Sequence, residues 1–325
     1  MAPSPIGLAR RFEDLVAEQP GRFSGEAMLF REVEPTYLRA LIAGLAAAVE
    51  KEQAIAWEPV VELSAWVTRQ PVDPNPERRH GLRPYDARDV NWRPARREIG
   101  RLIGTGMKAG ESGIPLSQRA VVWNILNTLC DDQEPTAEGE LTSTLEPLML
   151  AMNTVRGVAL NLLTKYGLWV RRRLAHANPA APAADFNTMP ELRERLEIHL
   201  DRNREPTLMA RTSYGQSLPW LHLLDPLWTE AYLTAIFPRE KEALPLRRAA
   251  WISYACSTRA YDDMLFLPSK RILIPDSYRG EPAAANPALD AGFGFPGSLS
   301  HLRHRHRRGG AFVGRCGSGI VRNPM

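Results

Sequence analysis

Cysteine is scarce in this chain. Cys130, Cys256 and Cys316 are the three in 325 residues, too few and too far apart for a disulfide framework or a zinc pattern. Cys130 closes the apolar run 120–129 and Cys256 follows 249–255, so these two read as small buried hydrophobes in a reducing compartment. Lysine is scarce too: of 41 basic residues only Lys51, Lys108, Lys165, Lys241 and Lys270 are lysine. Beside abundant Ala and 27 Pro, the arginine bias reads as coding composition rather than phosphate chemistry. No run approaches the roughly 18 apolar residues of a membrane helix, and the first residues, MAPSPIGLARRFEDLV, lack an apolar signal core. The expected location is cytoplasmic, with no membrane partner.

Charge is nearly balanced, and its surplus is local. The chain carries +4. Residues 275–325 hold seven Arg against Asp276, Glu281 and Asp290, which leaves residues 1–274 neutral by formal count. The pI near 9.1 is therefore a property of the tail, and it implies no basic groove on the remainder. With 44% hydrophobic and 24% charged residues, the chain has an ordinary globular composition.

What is present is helix after helix, with almost no strand signal. Pro35 opens a run through Leu38, Leu41, Ile42, Leu45 and Val49, apolar at spacings of three and four, as in an amphipathic helix. Trp57 starts a second, with Val60, Leu63, Trp66 and Val67. Asp89 suits the N-cap of a third that carries Trp92, Ile99, Leu102 and Ile103 and ends at the glycine-rich 104–113. Pro115 begins a fourth, with Val122, Ile125, Leu126 and Leu129. The strongest period lies in 153–176, where Val155, Ala159, Leu162, Leu163, Tyr166, Trp169 and Val170 share a face and Arg171–Arg173 close the C-terminal end. After an Ala/Pro linker at 177–184, the segments 190–200, 208–214, 226–237 and 242–257 read as shorter helices.

The expected architecture is thus all-α: antiparallel helix pairs in a HEAT-like solenoid whose repeat is degenerate. Residues 1–177 form the first part of the array and residues 185–267 continue it. Residues 268–325, rich in Gly, Pro and Arg, form a low-order tail.

Several clusters invite a chemical reading. Gly104-Thr-Gly-Met-Lys108-Ala-Gly-Glu-Ser112 has the composition of a phosphate loop. However, Met107 separates Gly106 from Lys108, Ala109 follows the lysine, and a helix precedes it, so the spacing fails; a helix–helix loop is expected. His301, His304 and His306 could meet a metal, but Arg303, Arg305, Arg307 and Arg308 would repel it. Asp131, Asp132 and Glu134 precede Pro135-Thr136 and read as a turn. The stretch 211–220 mixes Arg211, Tyr214, Gln216 and Trp220, residue types enriched at binding surfaces, but it reads first as a tight inter-helix turn pinned by aromatic packing. No catalytic set, cofactor site or metal site is assigned.

Several phrases point the same way: Asn153-Thr-Val-Arg-Gly157, Tyr166-Gly-Leu-Trp-Val-Arg-Arg172, Tyr214-Gly-Gln216, Pro219-Trp-Leu221, Leu224-Asp225, Ile236-Phe-Pro238 and Tyr261-Asp-Asp263, with Trp57-Glu-Pro-Val, Val90-Asn-Trp92 and Asp132-Gln-Glu-Pro-Thr136. Over about residues 12–265 the chain resembles the C-terminal helical region of large bacterial STAND-type ATP-binding proteins. The resemblance implies a sensor or scaffold, in some members serving defence against phage. The chain departs from that pattern in having no phosphate loop, no acidic Walker B strand and no nuclease or protease signature. It reads as the helical part without the NTPase, truncated or frame-shifted after about residue 263. The expected function is a non-catalytic interaction or sensor module for a protein partner or an NTPase domain encoded upstream. Arg156, Arg211, Tyr214, Gln216 and Trp220 are the expected contact residues. Nucleic-acid binding through the Arg-rich tail is the alternative, and an enzyme with a site assembled from distant residues is a third.

Overall fold

The computed structural model describes residues 4–73 and 91–257. Every regular element among them is helical: α1 (Pro5–Glu18), α2 (Pro20–Gly25), α3 (Pro35–Glu50), α4 (Trp57–Arg69), α5 (Arg93–Lys108), α6 (Arg119–Cys130), α7 (Ala137–Thr142), α8 (Pro147–Asn153), α9 (Val155–Ala177), α10 (Pro190–Leu200), α11 (Leu208–Leu224), α12 (Pro226–Ile236) and α13 (Leu244–Ser257), with short 3-10 turns between some of them. Prolines sit in the first turns of α1, α2, α3, α5, α8, α10 and α12, where the missing N–H costs nothing and φ is already helical. Ser4, Thr136, Thr154, Thr207 and Asp225 cap α1, α7, α9, α11 and α12, each accepting from an N–H three residues on.

The protein is an all-α array. Helices α1, α3, α5, α9, α11 and α13 pack each against the next, while α4 packs on α6 and α12 on α11. The short pair α7–α8 interrupts the succession, with α8 packing against α9, α11 and α13. Two glycines let rows approach closely. A Cβ on Gly44 of α3 would lie 2.6 Å from the Glu13 carbonyl oxygen of α1, and one on Gly215 of α11 would overlap the Ala250 carbonyl of α13. One hydrophobic cluster runs from Val16 to Tyr254, so the connection after α9 joins helices of a common core.

Arginine, surplus by composition, has a structural use here. The last carbonyls of a helix lack intrahelical partners and carry the negative end of its dipole. In six helices a guanidinium from another element takes them. Arg96 donates to Thr68 and Gln70 at the end of α4, and Arg172 to Met107 in α5. Arg195 donates to Asn127 in α6, Arg97 to Asn153 in α8, Arg211 to His199 and Leu200 in α10, and Arg171 to Leu223 in α11. A guanidinium presents several N–H groups in a rigid plane, which lysine cannot do.

The helices read from apolar spacing are present, and the structure adds α1 and α2 ahead of them. α5 ends within the glycine-rich stretch, at Lys108, and its Gly104 and Gly106 face Leu162 and Trp57 at close range. α11 runs on to Leu224 with Pro219 inside it. Pro219 removes the helical bond to Gly215, four residues back, and buried Ser217, Leu218 and Leu221 hold the turn in place. α7 and α8, six and seven residues long, had no readable period. Asp89, the end of the second array segment beyond Ser257, and the whole of 268–325 with His301, His304 and His306 lie outside the described residues.

Candidate functional site

Three of the five expected contact residues, Arg156, Arg211 and Tyr214, fall around one buried polar node where α7, α9, α10 and α11 meet. Arg156, on the first turn of α9, is half-buried. It donates to the Pro135 carbonyl and stands 3.6 Å from Glu205 Oε2. Glu205 is 2% exposed and binds three ways. Its Oε1 accepts from the Thr207 hydroxyl at 2.6 Å, and its Oε2 lies 3.1 Å from His199 Nδ1 as well as beside Arg156. A second carboxylate closes the node from α7: Glu140 accepts from the backbone N–H groups of Leu208 and Met209, at 2.6 Å each, taking orphan donors at the start of α11.

Arg211 and Tyr214 correct the surface expectation. Arg211 is fully buried, with Nη1 and Nη2 on the His199 and Leu200 carbonyls, and Tyr214 is buried with its hydroxyl donating to the Leu196 carbonyl at 2.6 Å. Both belong to α11 and not to an inter-helix turn, so they brace α10 and present no polar atom to a partner. Gln216 and Trp220 are half-buried on the same helix. Gln216 Oε1 is enclosed without a hydrogen-bond donor. Of the five, only Arg156, Gln216 and Trp220 retain exposed surface.

The titration behaviour of the node follows from its burial. Burial pushes the Glu205 carboxyl up, but hydrogen bonds from His199 and Thr207 and the Arg156 charge outweigh it and hold the group below the usual carboxylate range. Glu140 is shifted the other way: burial raises it, with the nearby Glu205 charge adding, more than the two backbone N–H groups lower it. Burial lowers Arg211 and raises Tyr214. The Cys130 thiol, buried near Arg195, is pushed up to about 12 by desolvation, so it stays protonated and unreactive at neutral pH. The node therefore pairs Glu205 with Arg156 and commits Glu140 and Arg211 to backbone groups at helix ends.

The glycine-rich stretch is occupied by internal contacts. Trp57 Nε1 donates to the Ser112 carbonyl at 2.8 Å, Trp169 Nε1 to Ile114 at 3.2 Å, and Arg173 to Gly110 at 2.8 Å. Gly113 N–H is bonded to Gly110 and Ile114 N–H to Gly106. Those amides do not converge on an open cradle. In the turn at 131–134, Asp132 is buried beside Arg93 and Arg96, at 3.5 and 3.6 Å, Glu134 pairs with Arg93 at 2.8 Å, and Asp131 pairs with Arg195. Among the described residues no three His, Cys, Asp or Glu side chains gather where they could hold a metal ion. An open depression of about 620 Å³ lies between Leu200–Asn203 and the end of α12 with the segment that follows it; two of its lining residues, Arg202 and Glu240, pair at 3.6 Å.

Sequence reasoning missed Glu140, His199 and Glu205. Thr207 before an apolar helix is a readable N-cap, and it places Glu205 near the start of α11. Nothing in the linear sequence ties Glu140, 68 residues before Leu208, to that helix. Compared with known proteins, the chain matches no family model, no curated protein and no solved structure. No helix among the described residues is long and apolar enough to cross a membrane.

Proposed function

We propose that the chain is a non-catalytic helical-repeat module for interaction or sensing, working with a protein partner or with an NTPase domain encoded upstream, as its resemblance to the helical region of STAND-type proteins implies. The observation that carries this reading is the side-by-side succession of α1, α3, α5, α9, α11 and α13. Such stacking builds an extended surface rather than a closed pocket. It is supported by the use of the polar groups. The residues that look chemical in the sequence, Arg211, Tyr214, Asp132 and Cys130, are buried in the array.

The test is to sequence the DNA upstream of Met1, express any NTPase-like frame found there, and titrate this chain into it by calorimetry while following ATP hydrolysis. Saturable binding with a change in hydrolysis rate is expected. An NTPase that neither binds the chain nor changes its rate would overturn the reading, as would NTP hydrolysis by this chain alone.

A further inference from the structure

We infer that the α7–α8 insert is the docking surface for the chain's own arginine-rich segment, His301–Arg308. α7 buries one side chain only, the Glu140 carboxylate. Its neighbours turn apolar surface outward: Leu141 is 83% exposed, Leu145 46% and Met149 42%. Three large hydrophobes within nine residues are unusual on a free surface and mark a contact region.

The charge of the insert is one-sided. Residues 131–153 contain Asp131, Asp132, Glu134, Glu138, Glu140 and Glu146 and no Lys, Arg or His. Arg195, Arg93 and Arg96 pair with the first three, and Glu140 is turned inward on α11. Glu138 and Glu146 are exposed on either side of Leu141 and Leu145 and join none of the ion pairs among the described residues. The insert thus exposes three apolar side chains, Leu141 and Leu145 between Glu138 and Glu146 in the sequence and Met149 just beyond, beside two carboxylates that join no ion pair among the described residues.

A matching segment exists in the same chain. Residues 301–308 read His-Leu-Arg-His-Arg-His-Arg-Arg, with Phe312 and Val313 just beyond: cations for Glu138 and Glu146, and apolar side chains for Leu141, Leu145 and Met149. α13, from whose end the chain continues, packs against α8. The roughly forty residues between Ser257 and His301 could span on the order of 100 Å when extended, so reach is no obstacle. Tethering raises the local concentration of the tail at this face far above that of a free partner. A second copy docking its own insert would instead bring Glu138 and Glu146 against their equivalents.

Hydrogen exchange on the full-length chain tests this. Amides of 137–149 should exchange on the order of threefold more slowly in the wild-type chain than in a variant with Arg303, Arg305, Arg307 and Arg308 all changed to Ser. The difference should vanish in high salt. Glu138→Lys with Glu146→Lys should abolish the protection at low salt, and melting curves will verify that the helices remain folded. Equal exchange in the wild-type chain and the tail variant would overturn the assignment. So would protection that falls on dilution, since it would place the contact between two copies. Loss of DNA or RNA binding in the tail variant with unchanged exchange at 137–149 would also overturn it, by giving the arginines to nucleic acid.

Discussion

The indole Nε1–H of Trp169 donates to the carbonyl oxygen of Ile114 at 3.2 Å, joining the longest helix of the array to the loop that follows α5. The ring is fully buried and packs near Tyr166, at 5.8 Å between centroids. Trp169→Ala removes this contact surface and leaves a cavity, so a loss of about 3 kcal/mol or more is expected in denaturant melts. Trp169→Phe should cost clearly less, because it keeps most of the apolar area and forfeits one hydrogen bond. Equal losses for the two would mean the hydrogen bond, and not the packing, holds the loop.

Arg211 and Arg97 test the use of arginine as a brace. Both donate to the end of a neighbouring helix, but Arg211 is fully buried with two such bonds, whereas Arg97 is exposed with one, at 3.3 Å. Arg211→Met keeps much of the volume yet strands the His199 and Leu200 carbonyls. It should destabilise by about 3 kcal/mol, read as a shift in urea midpoint at unchanged slope. Arg97→Ala should lie within about 0.5 kcal/mol of wild type. If both were neutral, the arginine bias would after all be compositional.

The contrast between these residues shows what the sequence could reveal. Helices with a sustained apolar face, such as α3, α4 and α9, were legible because burial on one side imposes a period. The six-residue α7 was not, since its one buried group is a carboxylate. By type alone, Arg211 and Tyr214 suit a binding surface as well as a packed turn. Their burial depends on the carbonyls of α10, eleven to eighteen residues earlier, and on α11 running unbroken through Pro219. Linear order carries neither fact. Glu140 and Glu205 meet the same helix start from positions 65 residues apart, a relationship only the fold creates.

These two carboxylates should show opposite pH dependence. Glu205 is held below its ordinary value of 4.5, against burial, by His199, Thr207 and Arg156. The folded chain therefore releases its proton more readily than the unfolded one. The resulting stability is present above pH 4.5 and is lost as pH falls through the folded value. Glu140 is raised, mainly by burial, so its contribution instead declines as pH rises from 4.5 towards its folded value. Comparing wild type with Glu205→Gln isolates the first effect: the variant should be less stable by about 2 kcal/mol or more at pH 7, with the gap narrowing below pH 4.5. A gap that widens on acidification would reverse the assignment of the paired group.

The glycine-rich stretch separates packing from nucleotide chemistry. If Gly106 belonged to a phosphate cradle, Lys108 would be the residue that matters for ligand and Gly106 would tolerate no side chain because of the phosphate. In the fold, a Cβ on Gly106 would overlap the Trp57 ring and come within 2.7 Å of Ile114 Cγ1. Lys108, by contrast, is exposed at the end of α5. Gly106→Ala should therefore cost about 2 kcal/mol in stability through overpacking, without any nucleotide present, and Lys108→Ala should leave the melting temperature nearly unchanged. Calorimetry with millimolar ATP should show no saturable binding to the wild-type chain. Tight ATP binding that disappears in Lys108→Ala would show that the loop opens into a phosphate site, and the packing of Trp57 on Gly106 would then be the state that the nucleotide displaces.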